Sequence, residues 1–223
     1  MNRFLLFAAC VGLLCVTTTR AGDPKLPVLF TDDFSKGADH WDPKDPSAWK
    51  VVKTDQGSYY SQFGQSKYKG PHRSPFNMCL LKDYVVGDFI LEAKLQSTAK
   101  DGPHRDMCLF FGYQDPAHLY YVHMAKAMDD HANQIFIVNA VDRVKISTKT
   151  TKGTPWDDNW HHVKVVRTVA DGRIEIYFDD MKTPIMTATD KTFTWGQVGI
   201  GSFDDTGNWK DVTLRGTKVK KEK

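Results

Sequence analysis

The sequence has no sustained run of apolar residues at the three-and-four spacing of an amphipathic helix. It also has no Pro/Gly/Ser-rich linker and no block of like charge that would separate two domains. These absences argue against a helical bundle and favour one domain within the 223 residues. We therefore predict a single, nearly all-strand domain over residues 22–217.

Glutamate is scarce, since it occurs only at Glu92, Glu175 and Glu222. No two of them have the Glu-x-Asp-x-x-Glu spacing by which paired carboxylates, about 5 Å apart, flank a glycosidic bond in retaining glucanases. Aspartate is plentiful and forms adjacent pairs. These include residues 129–130, 157–158, 179–180 and 204–205. Because most of the pairs lie in or beside loops, we interpret them as solvated residues that form turns.

The N-terminal segment has the three parts of a secretory signal. Arg3 precedes an apolar stretch from Phe4 to Val16, and Thr19-Arg20-Ala21 fits a cleavage site. The stretch of about 13 residues is shorter than the roughly 20 that a helix needs to cross a bilayer. We therefore predict a signal peptide at 1–21, no membrane span, and a secreted or periplasmic protein.

Charge gives little reason to expect a polyanionic partner. Removing Arg3 and Arg20 with the signal lowers the formal net charge from +3 to +1. The remaining basic residues are scattered, except at 218–223, which we predict to be a solvated basic tail. Because nucleic-acid binding needs a concentrated basic face, no nucleic-acid partner is predicted.

Only two cysteines remain after the signal, because Cys10 and Cys15 belong to it. Cys79 and Cys108 both lie in strand-like segments. Two buried, inert thiols are one interpretation of this pair. One disulfide is the other, since an exported chain meets an oxidising compartment.

Short segments rich in β-branched and aromatic residues recur between turn signals. The predicted strands are 28–30, 49–53, 76–82, 89–96, 106–113, 119–126, 134–141, 144–148, 161–169, 173–179, 185–188, 197–203 and 209–215. Apolar residues alternate within them, so that Phe89, Leu91 and Leu95 share one face. Strands without helices between them pair antiparallel and stack in two layers. The predicted fold is all-β, an antiparallel two-sheet jelly-roll sandwich.

The order of several motifs resembles that of a known superfamily. They are Phe30-Thr31-Asp32-Asp33-Phe34, Gly87-Asp88-Phe89, Phe111-Gly112-Tyr113-Gln114-Asp115, Trp160-His161-His162-Val163-Lys164-Val165 and Val198-Gly199-Ile200-Gly201. Over residues 28–216 the chain resembles the concanavalin A-like superfamily and, within it, is similar to the secreted bacterial 3-keto-disaccharide hydrolase family. The resemblance implies a lectin/glucanase-type sandwich outside the cytoplasm, with a carbohydrate ligand or substrate on its concave sheet.

The chain also departs from the hydrolase pattern. The resemblance implies an Asn-Ser-Gly-type segment where this chain reads Met107 to Tyr113, and a Gly-x-Glu motif on a following strand. Neither is present in the sequence. No catalytic residue is therefore carried over from the family, and the candidates below come from this chain's own residues.

The tetrapeptide Gly-Pro-His-Arg occurs twice, at 70–73 and at 102–105, and each copy precedes a predicted strand. Each copy places a guanidinium with a planar donor fork beside an imidazole that titrates near neutral pH. Equivalent loops at one rim would explain the repeat, and chance repetition of a Gly-Pro turn is the alternative. The substrate-binding residues predicted from these loops are His72, Arg73, His104 and Arg105.

His123 alternates with Tyr121 on a predicted strand whose other side carries Val122 and Met124. If that other side is core, Tyr121 and His123 face outward, where a sugar could stack on the tyrosine ring. As a partly exposed residue, His123 is expected to contribute at most about 1 kcal/mol to stability. A histidine with a purely structural role is the alternative.

The loop 127–134 concentrates carboxylates, imidazole and amides directly after this strand. A carboxylate beside a histidine can orient or charge it, as a general base requires. The predicted catalytic residues are His123, Asp130 and His131. Tyr121 and Gln134 are added to the predicted substrate-binding residues.

Metal ligation by His104, His123, Asp130 and His131 is an alternative. No compact zinc spacing such as His-x-x-x-His is present, so we predict no metal and no other cofactor. Trp156 lies in the polar loop 154–158 and is predicted to be a stacking platform for a sugar ring.

Two main functions follow from these patterns. The first is hydrolysis of glycosides, 3-keto-disaccharides or related compounds, by a secreted carbohydrate-active domain. The alternative, favoured by the missing glutamate pair, is a non-catalytic carbohydrate-binding, lectin-like module. A third interpretation is a domain that recognises protein. The sequence leaves the oligomeric state open.

Overall fold

A computed structural model describes residues 23–219, so the predicted signal peptide and the end of the predicted tail lie outside the described residues. The described chain forms a short 3-10 turn at Pro46–Ala48 and sixteen strands. The strands are β1 (Val28–Asp32), β2 (Trp41–Pro43), β3 (Trp49–Thr54), β4 (Gly57–Gln62), β5 (Asn77–Leu81), β6 (Val86–Ser97), β7 (Asp106–Asp115), β8 (His118–Ala125), β9 (Gln134–Asn139), β10 (Val144–Lys145), β11 (Ser147–Thr150), β12 (His161–Thr168), β13 (Arg173–Phe178), β14 (Met186–Thr189), β15 (Gln197–Ser202) and β16 (Gly207–Lys218). Over residues 23–219, no helix is both long and apolar enough to span a membrane.

The larger sheet has nine strands, and its paired neighbours run antiparallel. Its order is β11-β14-β13-β12-β6-β16-β4-β3, and β1 pairs with β16. Leu91 in the central strand β6 lies between Val165 of β12 and Leu214 of β16. These three buried side chains form an apolar row across the inner face of the sheet.

The smaller sheet has seven strands in the order β10-β9-β8-β7-β15-β5-β2 and is also antiparallel. Leu109 of β7 lies between Val122 of β8 and Ile200 of β15. All three belong to the same buried cluster as the apolar row of the larger sheet. The two inner faces therefore pack together as one core, and the predicted antiparallel two-sheet sandwich is confirmed.

Alternation along each strand decides which residues enter this core, as the sequence predicted. Phe89, Leu91 and Leu95 are in the core cluster, whereas Ile90 packs on the outer face of the same sheet. Val122 and Met124 are in the core, and Tyr121 lies in a separate cluster. The predicted orientation of strand β8 is therefore confirmed.

Two strands were missed and some boundaries differ. β2 and β4 were not predicted, because neither Trp41–Pro43 nor Gly57–Gln62 shows a clear apolar alternation. The predicted strand 144–148 is two short strands, β10 and β11. β16 extends to Lys218, so that residue belongs to a strand although it was assigned to the basic tail.

The two cysteines are free, so the disulfide alternative is wrong and the interpretation as buried thiols is confirmed. Cys79 of β5 belongs to the core between the sheets, and Cys108 of β7 belongs to the cluster on the other face. Side chains on opposite faces of one sheet cannot be bridged. Burial raises the pKa of both thiols, which keeps them protonated and unreactive.

Candidate functional site

The outer face of the seven-stranded sheet carries a second layer of buried apolar side chains. Its members are Met78, Leu80, Cys108, Phe110, Tyr113, Leu119, Tyr121, Phe136, Val138 and Phe203. Connecting segments meet over this layer: Phe76 packs edge-on against Phe203 at 5.4 Å, and the backbone N–H of Arg143 donates to the carbonyl of Arg73. Polar residues that lie at the end of this layer are therefore held by both the sheet and the loops.

His123 lies at this end of the layer and is only 6% exposed. Its ring stacks on Phe203, with centroids 5.3 Å apart and planes inclined by 16°. Nδ1 lies 3.0 Å from the carbonyl oxygen of His131. A carbonyl oxygen can only accept, so Nδ1 carries a hydrogen and donates it. The expectation that His123 is partly exposed is therefore wrong.

The other ring nitrogen of His123 faces a buried carboxylate. Nε2 lies 3.6 Å from Oδ2 of Asp106, which is 1% exposed at the start of β7. Oδ1 of Asp106 accepts a hydrogen bond from the backbone N–H of Phe203 at 2.8 Å. Oδ2 has no hydrogen-bond partner among the described residues. One oxygen of Asp106 therefore positions the turn after β15, and the other remains unsatisfied.

Asp204 and Asp205 join Asp106 in a group that we call the carboxylate cluster. One oxygen from each of the three side chains lies within 4.8 Å of the others. Oδ2 of Asp205 accepts from the backbone N–H of Asp106 at 2.8 Å. The carbonyl of Asp205 accepts from Nδ2 of Asn77 at 3.1 Å and from Oγ of Ser202. The turn is thus held firmly enough to keep three like charges together.

This crowding changes the protonation equilibria. Burial, together with the charge of Asp106, raises the pKa of Asp205 to about 6, and the opposing effect of His123 is smaller. Burial and the charge of Asp106 also raise the pKa of Asp204, while His123 and His104 oppose that shift. The positive charges near the cluster therefore neutralise only part of its negative charge.

Basic residues border the cluster and form what we call the basic rim, Arg73, His104 and Arg143. The guanidinium of Arg143 lies 4.4 Å from the ring centroid of Phe203, and that of Arg73 lies 5.9 Å from the same ring. Arg143 also donates to the hydroxyl of Tyr121 at 3.0 Å. Both Gly-Pro-His-Arg loops contribute to this rim, because one supplies Arg73, near Phe203, and the other supplies His104, whose charge lowers the pKa of Asp204.

Two predicted binding residues have structural roles instead. Arg105 is 4% exposed and donates to the carbonyls of Ser97 and Asp157 and to a carboxylate oxygen of Asp158, on the side of the nine-stranded sheet. Trp156 is 1% exposed in the core, where its Nε1 donates to the carbonyl of Met124 at 2.7 Å. The predictions that Arg105 binds substrate and that Trp156 is a stacking platform are therefore wrong.

The loop 127–134 reaches the site mainly through its backbone. The carbonyl of His131 binds His123, whereas the His131 side chain is exposed. Asp130 is exposed and forms an ion pair with Lys145. Nε2 of Gln134 donates to the carbonyl of Asp129 at 3.0 Å. Among the described residues, Asp130 pairs with Lys145 and His123 binds the His131 carbonyl, so the two do not form a catalytic pair.

Two other predicted binding residues have limited access to a ligand. Tyr121 is fully buried and cannot offer its ring face to a sugar, because Phe136 stacks on it at 5.2 Å. His72 is half-buried, and its carbonyl accepts from Oγ of Ser74 at 3.2 Å. Of the predicted residues, His104 and His123 act on the charge of the carboxylate cluster, and Arg73 lies near Phe203, the residue before Asp204.

Sequence reasoning missed Asp106, Asp204, Asp205, Phe203 and Arg143. The sequence did carry a signal for Asp106. In the strand predicted from 106 to 113, alternation places it on the same face as Cys108 and Phe110. An aspartate on an apolar outer face indicates either a turn or a site. No comparable local signal distinguished the 204–205 pair from the other Asp-Asp pairs.

Two of the open clefts on the described part of the chain are alternative candidate sites. One, of about 650 Å³, is lined by Asp33 and Asp211, but Oδ1 of Asp33 accepts from Ser35 and Asp211 pairs with Lys94 at 2.9 Å. The other, of about 400 Å³, lies on the nine-stranded sheet beside Trp160. Neither cleft contains a buried carboxylate without a partner among the described residues.

Comparison with known proteins supports the fold. No protein-family model matches the chain, and no curated protein sequence matches it. Among solved structures, the carbohydrate-binding module CBM66 from Bacillus subtilis is 21% identical, with a TM-score of 0.54 over 79% of this chain and 95% of that one. The lectin I-B4 from Griffonia simplicifolia is 12% identical, with a TM-score of 0.53 over 84% and 98% of the two chains.

A third similar structure is the GH43 protein BlXynB from Bacillus licheniformis, which is 10% identical. Its TM-score is 0.57 over 84% of this chain and 39% of that one. The chain thus shares an antiparallel jelly-roll sandwich fold with these solved structures. At these identities the similarity describes the fold, and the site has to be argued from the residues themselves.

Proposed function

We propose that this protein is an exported carbohydrate-binding domain and that sugar binds at the surface formed by Arg73, His104 and Asp204. The observation that carries this proposal is the convergence of exposed basic and acidic side chains around the stack of His123 on Phe203. Sugar hydroxyls are both donors and acceptors, so a site for them needs carboxylate and guanidinium groups side by side. Both kinds of group are present here.

The arrangement is rigid where it is buried and accessible where it would meet a ligand. Phe203 is held by the stack and by Arg143, and Asp204 follows it directly in the chain with an exposed side chain. Ligand sites commonly combine such a fixed base with a small number of polar groups that set orientation. The fold of the carbohydrate-binding module from Bacillus subtilis and of the Griffonia lectin is consistent with this use.

Binding is favoured over cleavage by the position of the carboxylates. A retaining glycosidase needs two carboxyl groups about 5 Å apart on either side of the glycosidic bond. Asp106 is too buried to touch a sugar, and Asp204 and Asp205 are neighbours in one turn. The cluster therefore faces a ligand from one side.

Glycoside hydrolysis, including that of 3-keto-disaccharides, is the second candidate. It is favoured by one observation, the collection of three carboxyl groups within 4.8 Å beside a histidine. Its reaction would use Asp205 as the acid and Asp204 as the base or nucleophile. Incubation with a panel of glycosides and 3-keto-glycosides distinguishes the two candidates, because a binding domain leaves every compound intact.

The test of binding uses a glycan array followed by calorimetric titration of the best ligand. Asp204→Ala and Arg73→Ala are each expected to weaken binding about tenfold or more, because a hydrogen bond to a charged group contributes roughly 1.5–3 kcal/mol. Asp171→Ala and Arg215→Ala are matched controls on other parts of the surface and should leave the affinity unchanged.

A variant in the cleft beside Trp160 tests whether the sugar binds there instead. Trp160 lies beside Tyr59 with ring centroids 5.7 Å apart and could stack with a sugar. If Trp160→Ala abolishes binding while Asp204→Ala and Arg73→Ala do not, the ligand binds on the nine-stranded sheet and the proposed site is wrong. If no glycan binds at all, the proposed function is wrong.

A further inference from the structure

We infer that the carboxylate cluster and His123 bind one divalent metal ion. Four donor atoms support the inference: one oxygen each from Asp106, Asp204 and Asp205, all within 4.8 Å of one another, and Nε2 of His123. The prediction from sequence that no metal is bound rested on spacing along the chain. The structure brings these donors together from β7, β8 and the turn after β15.

The first argument is the unsatisfied oxygen of Asp106. Oδ2 is buried and has no hydrogen-bond partner among the described residues, although the side chain is only 1% exposed. An isolated buried carboxylate oxygen is costly unless it is paired or coordinates a metal. Asp106 belongs to the group of three carboxylates with Asp204 and Asp205, so a cation bound among these side chains would compensate its charge.

The second argument is the tautomer of His123, which is independent of the acidic cluster. Nδ1 donates to the carbonyl of His131, so in the neutral ring Nε2 has a lone pair and no hydrogen. That lone pair faces Oδ2 of Asp106 across 3.6 Å. Two acceptors that face each other in a buried site repel, and a cation that binds both would relieve this repulsion.

A proton on Nε2 is the competing explanation, and the distance argues against it. A charged N–H donor approaches a carboxylate oxygen to about 2.7–2.9 Å. The separation of 3.6 Å is too long for that hydrogen bond. A histidine that ligates a metal through one nitrogen typically donates the other N–H to a carbonyl or carboxylate, as His123 does to His131.

The donor set indicates which metal would bind. Carboxylate oxygens suit Mg²⁺, Ca²⁺ and Mn²⁺, whereas an imidazole nitrogen suits the transition metals. Mn²⁺ accepts both kinds of donor, so it is the ion that we assign to the site. Because Asp204 is exposed, water or a ligand oxygen could reach an ion bound beside it.

The inference is tested with Mn²⁺ alone, without any sugar, so its outcome is separate from that of the proposed function. The protein is freed of metal with a chelator and titrated with MnCl₂ in a calorimeter, with CaCl₂ and MgCl₂ in parallel. One Mn²⁺ site is expected. Asp204→Asn and Asp205→Asn should each weaken it at least about tenfold, the lower limit seen when metal sites lose a supporting group.

Two matched variants lose the same charge elsewhere. Asp171→Asn removes a carboxylate from an exposed turn, and Asp33→Asn removes one from the cleft of about 650 Å³. Both should bind Mn²⁺ as the unmodified protein does. Paramagnetic broadening gives the location, since Mn²⁺ should broaden the ring signals of His123 before those of His118.

Four results would overturn the inference. The first is absence of Mn²⁺ binding at millimolar concentrations. The second is an unchanged affinity in Asp205→Asn, and the third is broadening of His118 without broadening of His123. A ring of His123 that carries protons on both nitrogens in the metal-free and Mn²⁺-treated protein alike would show that the proton, and not a metal, compensates Asp106.

Discussion

Two Asp-Asp turns, 157–158 and 204–205, lie on opposite sides of the start of β7. The first faces a positively charged side chain, and the second faces a negatively charged one. Arg105 donates to the carbonyl of Asp157 and to the carboxylate of Asp158. Its neighbour Asp106 faces the other turn, where its oxygens lie near those of Asp204 and Asp205. Adjacent residues at a strand boundary thus supply one turn with a cation and the other with a further anion.

The acid–base properties of the two turns differ accordingly. Hydrogen bonds from the backbone and side chain of Asn159, together with His161, lower the pKa of Asp157. Burial and the charge of Asp106 raise the pKa of Asp205 to about 6. The compensated turn contributes to the fold, whereas the uncompensated turn has the unfavourable charge arrangement that is common at functional sites.

Arg105→Ala is expected to produce the largest change. It removes a buried guanidinium and leaves the carbonyl groups of Ser97 and Asp157 without their donor. Loss of one partner from such a buried network costs about 3 kcal/mol, which corresponds to a decrease of roughly 6–12 °C in Tm for a domain of this size. Thermal unfolding followed by circular dichroism measures it, with Arg215→Ala, a change at a half-buried arginine, as control. A decrease no larger than that of the control would show that the compensated turn does not stabilise the fold.

His123→Ala should have the next largest effect on stability. The imidazole stacks on Phe203 and its N–H is the partner of the His131 carbonyl, so both contacts are lost in a buried place. We expect a loss of about 2 kcal/mol, or roughly 4–8 °C in Tm. His118→Ala, which removes a more exposed ring, is the matched control. Equal Tm values for the two variants would contradict the buried role of His123.

Asp205→Asn should stabilise the metal-free protein at neutral pH. Because the pKa of Asp205 is raised to about 6 from 3.8, the folded chain holds its proton more tightly than the unfolded chain does. The unmodified protein therefore loses stability as the pH rises from about 4 to about 7. The variant has no such loss and should be more stable at pH 7 by about 1 kcal/mol, after discounting for solvent screening.

Urea unfolding in the presence of a chelator, at pH 4.5 and at pH 7, measures this difference. The advantage of the variant should be small at the lower pH and larger at the higher one. Asp157→Asn is the matched change in the other turn, and it should lack this advantage at pH 7 because the pKa of Asp157 is lowered. The same gain in both variants would mean that the two turns do not differ in their electrostatic surroundings.

Asp158→Asn should have the smallest effect. The Asp158 side chain is 95% exposed, and Arg105 retains its bonds to backbone carbonyls when this carboxylate is neutralised. An exposed ion pair of this kind contributes at most about 1 kcal/mol, and we expect less than about 0.5 kcal/mol here. A double-mutant cycle with Arg105→Ala measures the coupling. A coupling energy above about 2 kcal/mol would show that Asp158, rather than the carbonyls, holds Arg105.

Much of the fold could be predicted from local patterns. Alternation along β8 correctly placed Val122 in the core and His123 on the other face, and the absence of helical periodicity predicted the two-sheet sandwich. β4 was missed because its sequence, Gly57–Gln62, is mostly polar. Its pairing with β3 and β16 supplies the stability that its own composition does not suggest.

The candidate site was predicted only in part. The Gly-Pro-His-Arg repeat drew attention to two loops that each supply a residue to the rim, Arg73 and His104, whereas Arg105 turns inward. Trp156 follows a polar loop segment and yet packs in the core against Phe178 at 4.9 Å. In both cases the composition of the loop was clear, and the direction of the side chain was not.

The sequence by itself determined the fold class, the faces of the strands and the two loops that carry basic residues, because each depends on periodicity or on neighbours along the chain. Only the tertiary structure decided which Asp-Asp pair is solvated and which one faces Asp106. The physical reason is that electrostatic environment depends on burial and on distances of a few ångströms between residues far apart in sequence. Asp106 and Asp205 are 99 positions apart, and their hydrogen bond is formed only when β15 pairs with β7.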